Sequence, residues 1–211
     1  MRPCLLFIVL LHVYNPVPAQ NFIAEVMPGN RYLFYQHLSN QKFKENGKAG
    51  TVHIANISNW YERNPDKGGM NNEIMNQLYI SMQAGPKITF MGGIFYSNTT
   101  GIKPALAMQY AHVFKNGLFV LTPRVDLKKN GSAELMGMLE FHPQITKHIK
   151  IYTRIQLMSN TGPYHHNRSY QRARLGVHLK KFQAGIGINL DEYGSTLKLK
   201  VNAGLFFRKV F

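Results

Sequence analysis

Residues 201–211, VNAGLFFRKVF, alternate in a way that few folds accommodate. Side chains along a strand point to opposite sides in turn. Val201, Ala203, Leu205, Phe207 and Phe211 therefore share one face, interrupted by Lys209, while Asn202, Gly204 and Arg208 share the other with Phe206 and Val210. A water-soluble sheet gains little from an apolar face that runs to a terminal aromatic residue. A strand that meets lipid on one side and a polar interior on the other requires this pattern.

The same period recurs upstream. From Gly50 the chain divides into alternating segments at 50–60, 73–84, 87–97, 103–114, 117–126, 131–142, 147–159, 168–180, 182–191 and 196–211. Turn signals separate them, the clearest being Lys115-Asn116-Gly117, since Asn-Gly is the strongest short-range hairpin signal. In the segment at 131–142, Ala133, Leu135, Gly137, Leu139 and Phe141 are expected outward and Glu134, Met136, Met138, Glu140 and His142 inward. Ile149, Ile151, Ile155 and Leu157 likewise oppose Lys150, Tyr152, Arg154 and Gln156, and Ala173, Leu175, Val177 and Leu179 oppose Arg172, Arg174, His178 and Lys180. The expected fold is all-β, a single antiparallel transmembrane β-barrel of about ten strands over 50–211. Residues 20–49 are expected as an N-terminal arm or as further strands; Phe22–Val26 and Arg31–His37 would bring the count to twelve.

Such a barrel has short turns at one end and longer loops at the other. Turns at 85–86, 115–116, 143–146 and 181 form the short set, and segments 61–72, 98–102, 127–130, 160–167 and 192–195 the longer one. Trp60, Tyr61, Tyr96, Tyr164, Tyr170 and Tyr193 fall near the longer-loop end, where an aromatic girdle is expected, and Phe119, Phe141, Phe182 and Phe211 near the other. A soluble lipocalin-like barrel gives the same alternation. Its interior would then hold Glu134, Glu140, Arg154, Arg172 and Arg174, a poor dry core, which favours the membrane reading.

The N-terminus supports export. Met1-Arg2 precedes the apolar run Leu5–Val13, and Val17-Pro18-Ala19 before Gln20 fits a signal-peptide cleavage pattern over residues 1–19. Cys4 lies ahead of the apolar run, so the expected mature chain has no cysteine and depends on its hydrogen-bond ladder rather than disulfides. Twenty-five Lys and Arg stand against ten Asp and Glu. The cations are scattered rather than clustered, and an exported chain does not meet nucleic acid. Outer-membrane lipid headgroups and lipopolysaccharide are the expected anionic partners.

The Ala19-Gln20 junction, the alternation from Gly50 and the ending GLFFRKVF together resemble the small outer-membrane barrel proteins of Gram-negative bacteria, particularly those of the Bacteroidota. NEIMNQLYIS (72–81), TPRVDL (122–127), IKIYTRIQ (149–156) and RARLGVHLKKFQAGIGINLDEYG (172–194) look like motifs of an uncharacterised group of them. The resemblance implies an integral, porin-like or surface-exposed barrel, with Phe211 read by the barrel-assembly machinery. It also leaves room for an accessory subunit bound to another envelope protein, or for a lipid A-modifying enzyme.

Lumen-facing charges are the candidate functional residues: Glu134 and Glu140, then Lys150 and Arg154, then Arg172 and Arg174, on neighbouring strands that allow cross-strand ion pairs. They form either a salt-bridged plug that largely occludes the lumen or the lining of a slender anion-favouring pore. His165 and His166 lack Cys or carboxylate companions at useful spacing, so no metal site or other cofactor is expected. A lipid-modifying enzyme would bring His and Ser together at one rim. Of His112, His148 and His178, with Ser132 and Ser169 as partners, none falls there, so a non-enzymatic role is expected.

Overall fold

The computed structural model describes residues 21–64, 70–147, 149–162 and 165–211. The expected leader at 1–19 with its Ala19-Gln20 junction, Tyr164 and His148 lie outside these residues.

Twelve strands follow in sequence: Asn21–Pro28 (β1), Tyr32–Lys42 (β2), Ala49–Trp60 (β3), Glu73–Gln83 (β4), Ile88–Ser97 (β5), Gly101–Phe114 (β6), Gly117–Asp126 (β7), Ala133–Phe141 (β8), Lys150–Thr161 (β9), His166–Leu179 (β10), Phe182–Tyr193 (β11) and Lys198–Val210 (β12). Each pairs antiparallel with its sequence neighbours, and β1 pairs with β12 to close the barrel. Closure leaves no unpaired edge, which a sheet in lipid requires. The ten strands expected from Gly50 onward are all present with small shifts of boundary. The count is twelve, the larger of the two expected, because residues 21–42 supply β1 and β2 as further strands rather than an arm.

The second strand escaped the alternation for a physical reason. On β4 to β12 the outward face carries exposed aliphatic and aromatic side chains, among them Ile80, Leu106, Ile155, Leu175, Ile186, Leu205 and Phe207. The outward face of β2 and β3 instead carries Tyr35, His37, Ser39, Thr51 and His53. There a hydrogen-bonded row replaces the apolar stripe: Tyr35 Oη to His37 Nδ1 at 3.1 Å, His37 Nε2 to His53 Nδ1 at 3.0 Å, and His53 Nε2 to Asn76 Oδ1 at 2.8 Å. The amide oxygen of Asn76 can only accept, so protons run in one direction, each imidazole donating from Nε2 and accepting at Nδ1.

The seam is tight. Gly204 of β12 bridges to Gly29, and a Cβ at Gly204 would meet the Pro28 carbonyl oxygen at 2.1 Å. Asn202, fully buried beside it, pins the β1–β2 turn: its Oδ1 accepts from Arg31 N at 2.9 Å and Tyr32 N at 3.1 Å, and its Nδ2 donates to Tyr32 O at 3.0 Å. The barrel end bearing this turn and the segments at 61–72, 98–100, 127–132, 162–165 and 194–197 is called distal below; the end near Asn21 and Phe211 is called terminal. The longest distal segment is 61–72, but the terminal set also includes the longer connection 142–149, so the expected asymmetry of loop length is only partial.

Three residues expected in the distal aromatic girdle point the other way. Trp60 and Tyr170 are buried in the lumen, at 3% and 5% exposure, and Tyr193 lines the luminal cavity under Arg168, whereas Tyr61 and Tyr96 are exposed. All three belong to the inward register of their strands, which position near a strand end does not reveal.

Candidate functional site in the barrel lumen

At mid-height the lumen is packed by its own side chains. Met27, Tyr32, Phe34, Trp60, Tyr152 and Phe206, contributed by β1, β2, β3, β9 and β12, form one cluster. Met27, Phe34, Tyr152 and Phe206 each have 0% exposure. A second cluster of Val52, Tyr79, Met91, Phe95, Ala105 and Ala107 lines the wall made by β3 to β6. A twelve-strand barrel is wide enough that side chains must reach inward from several strands to meet, and large aromatic residues do so here.

The charged layer lies against the first cluster. Glu25 on β1, 2% exposed, bridges two guanidinium groups: Arg154 Nη2 lies 2.6 Å from its Oε2, and Arg174 contacts its Oε1 through Nη2 at 2.9 Å and Nε at 3.0 Å. Arg174 also donates through Nη1 to Asn189 Oδ1 at 2.9 Å, Ala173 O at 2.9 Å and Ile188 O at 3.2 Å. The absence of a side chain at Gly187 lets Arg174 lie flat on the barrel wall, since a Cβ there would approach its Cδ to 2.9 Å. Towards the terminal end, Glu140 pairs with Arg208 at 3.1 Å, accepts from Tyr152 Oη at 3.2 Å and lies 3.5 Å from His142 Nε2.

Arg172 differs from these. It is 2% exposed, and its guanidinium stacks between Tyr170 at 3.8 Å and Phe34 at 4.3 Å. Its Nε and Nη1 are buried without a hydrogen-bond partner among the described residues. Stacking on aromatic faces compensates part of the cost of burying the cation, but no carboxylate bridges it among the described residues.

Above this layer the barrel opens distally into a cavity of about 910 Å³. Its floor and walls include Met75, Phe95 and Met158 beside Arg124, Glu134 and Arg168. Arg124 forms a fork on Glu134, with Nη2 at 2.9 Å from Oε2 and Nε at 3.3 Å from Oε1, and pairs with Asp126 at 2.7 Å. Asp126 also holds Lys103 at 2.9 Å and Ser132 at 2.7 Å. Arg168 bridges Glu73 at 2.7 Å and Asp191 at 2.9 Å, and Asp191 accepts from Tyr32 Oη at 2.5 Å. The vestibule therefore combines apolar surface with guanidinium groups that are already paired. Such a site suits a ligand with both apolar and hydrogen-bonding parts.

Five of the six residues expected in the lumen lie there: Glu134 in the vestibule wall, and Glu140, Arg154, Arg172 and Arg174 in the packed layer. Lys150 has the inward register but is exposed at the terminal rim, apart from the network. The pairing scheme also differs from a simple cross-strand ladder. Glu140 and Arg154 are direct partners in the β8–β9 register, yet their bridges run to Arg208 and to Glu25. Glu25, Arg124, Asp126, Arg168, Asp191 and Arg208 complete the networks and were missed. Glu25 had a legible signal, as the one charged residue in the run NFIAEVMP.

A His–Ser contact does form at the distal rim, between residues other than the expected combinations. His166 Nε2 lies 2.7 Å from Ser169 Oγ. Positions three apart on a regular strand face opposite ways. A bulge between His166 and Arg168, where His166 opposes Thr161 and Arg168 opposes Asn160, adds one residue and brings both to the same face. Among the described residues, no group of three or more His, Cys, Asp or Glu is placed to hold a metal ion.

The fold is that of outer-membrane porins. The NanC porin aligns over 92% of this chain and 100% of its own, with a TM-score of 0.54 and 12% identity. The KdgM porin aligns over 90% of this chain and 99% of its own, with a TM-score of 0.51 and 11% identity. A second KdgM structure, in complex with disordered oligogalacturonate, gives a TM-score of 0.52 at 11% identity. No protein-family model and no curated protein matches the sequence.

Proposed function

We propose that this chain is an integral outer-membrane barrel, porin-like in architecture, whose lumen is closed at mid-height and whose distal vestibule is the ligand-binding surface. The exposed aliphatic band on β4 to β12 supports the location, and barrel convention places the distal end at the cell exterior. The observation that carries the reading is the packed cross-section in which Glu25 bridges Arg154 and Arg174 while Arg172 is stacked between Phe34 and Tyr170. Every member of it is 5% exposed or less, so ion passage requires these groups to move. The neighbouring KdgM structure with oligogalacturonate supports an acidic saccharide as one ligand class for the vestibule. An arm at 20–49 ordered against a partner would favour the accessory-subunit alternative, but most of that segment forms barrel strands.

One observation favours a second reading, a slender anion-favouring pore: Arg172 is a buried cation without a bridging carboxylate. Single-channel recording of the purified barrel in a planar bilayer separates the two. The closed reading expects stable insertion with no resolved steps, and steps on combining Phe34→Ala with Tyr170→Ala. Anion-selective steps in the unaltered protein, diminished by Arg172→Gln, would overturn it and establish the pore.

A further inference from the structure

The contact between His166 and Ser169 has the geometry of a nucleophile and its base. Ser169 belongs to the outward set of β10 with Gln171, Ala173 and Leu175, and the bulge places His166 beside it. His166 Nδ1 lies 3.0 Å from the carbonyl oxygen of Gly194. A carbonyl can only accept, so Nδ1 carries the proton and Nε2 presents its lone pair to Ser169 Oγ at 2.7 Å. The hydroxyl proton of Ser169 therefore points at a base whose tautomer and ring orientation are held from behind.

The surroundings extend the arrangement. Glu192 is the register partner of Ser169 on β11, and directly opposed Cβ atoms lie about 5 Å apart. Its carboxylate shares the face on which an imidazolium would form. Ser159, the partner on β9, has its hydroxyl 3.3 Å from Ser169 Oγ. Gln171, exposed and two residues along the same face, offers an amide donor. Towards mid-height that face continues into exposed Leu157, Ile155, Leu175 and Ile188. A hydroxyl nucleophile on this surface faces the acyl region of a membrane rather than the lumen.

We propose that His166 and Ser169 form a hydrolytic dyad acting on carboxylic esters of acyl chains in the outer leaflet. Ser169 Oγ attacks the ester carbonyl while His166 Nε2 takes its proton, and the hydroxyl of Ser159, 3.3 Å from Ser169 Oγ, is a donor beside the oxyanion. The bond from the acyl carbon to the alcohol oxygen then breaks, and His166 returns the proton to the departing alkoxide. Water attacks the acyl-Ser169 ester, giving its proton to His166. Collapse releases the fatty acid and restores the Ser169 hydroxyl. His166 also borders the mouth of the vestibule, whereas Ser169 lies outside its lining, and ester hydrolysis is read independently of vestibule binding.

The test uses the purified barrel in detergent micelles, its fold checked by migration on unheated gels. A fluorophosphonate probe and p-nitrophenyl palmitate serve as reagents. The expected result is a phosphonate adduct on Ser169, with ester hydrolysis falling about 100-fold or more in Ser169→Ala and in His166→Gln. A folded protein that leaves Ser169 unlabelled, or hydrolysis unchanged in Ser169→Ala, would overturn the proposal. His166 would then serve only to tie β10 to the turn at 194–197 through its bond to the Gly194 carbonyl.

Discussion

Replacing Glu25 by Leu removes the carboxylate that holds two guanidinium groups in the centre of the barrel. Arg154, 4% exposed, has no other carboxylate at bridging distance among the described residues. Stranding a buried charge in this way costs about 3–5 kcal/mol. Arg174 loses its bridge but keeps Asn189 Oδ1 and two backbone carbonyls, which limits its share to about 1–2 kcal/mol. Both arginines depend on one carboxylate, so the two costs do not simply add, and a loss of about 4–5 kcal/mol is expected. Urea unfolding of the barrel in lipid vesicles measures it. The single tryptophan, Trp60, packs against Tyr32 in the lumen at a centroid distance of 4.6 Å, the rings tilted by 44°, and reports the transition by fluorescence. Combining Glu25→Leu with Arg154→Leu removes the stranded cation and should restore about 2 kcal/mol. A loss below about 1 kcal/mol for Glu25→Leu, or a double variant no more stable than the sum of its parts predicts, would refute the account.

Two further predictions concern closure of the barrel. Gly204→Val places a branched side chain where even a Cβ meets the Pro28 carbonyl at 2.1 Å, so β1 should fail to dock on β12 and the compact band on unheated gels should be lost; an unchanged band would show that the seam can shift. Asn202→Leu strands Arg31 N and Tyr32 N at the β1–β2 turn, while Tyr32 O keeps its bond from Gly29 N at 3.2 Å, and should cost about 2–3 kcal/mol in the same urea assay, with earlier hydrogen exchange at Tyr32 than elsewhere in β2.

The alternation of β3 to β12 was legible because lipid on one side and a polar lumen on the other impose a period of two on each strand. That period also fixes which side each charge faces, and Glu134, Glu140, Arg154, Arg172 and Arg174 were placed in the lumen on this ground alone. Where the environment relaxes the rule, legibility fails. β2 bears Tyr35 and His37 outward, satisfied by a hydrogen-bonded row that spans three strands, so its own sequence carries no lipid-facing stripe. Lys150 keeps the inward period but lies where the barrel ends, and period says nothing about height.

Partner choice in the lumen is likewise invisible to a single strand. Sequence neighbours fix the ladder, which puts Arg154 opposite Glu140, but closure brings β1 beside β12 and carries Glu25 to Arg154 and Arg174. The His166–Ser169 contact depends on one inserted residue that reverses the facing of a strand end, and local spacing argues against it. Sequence by itself thus determined the class of fold and the facing of most strand residues, because both follow from a local alternation between two solvents. Only the tertiary structure decided the strand count, the ion-pair partners and the His–Ser contact at the rim, because each arises from curvature, closure or the register between strands.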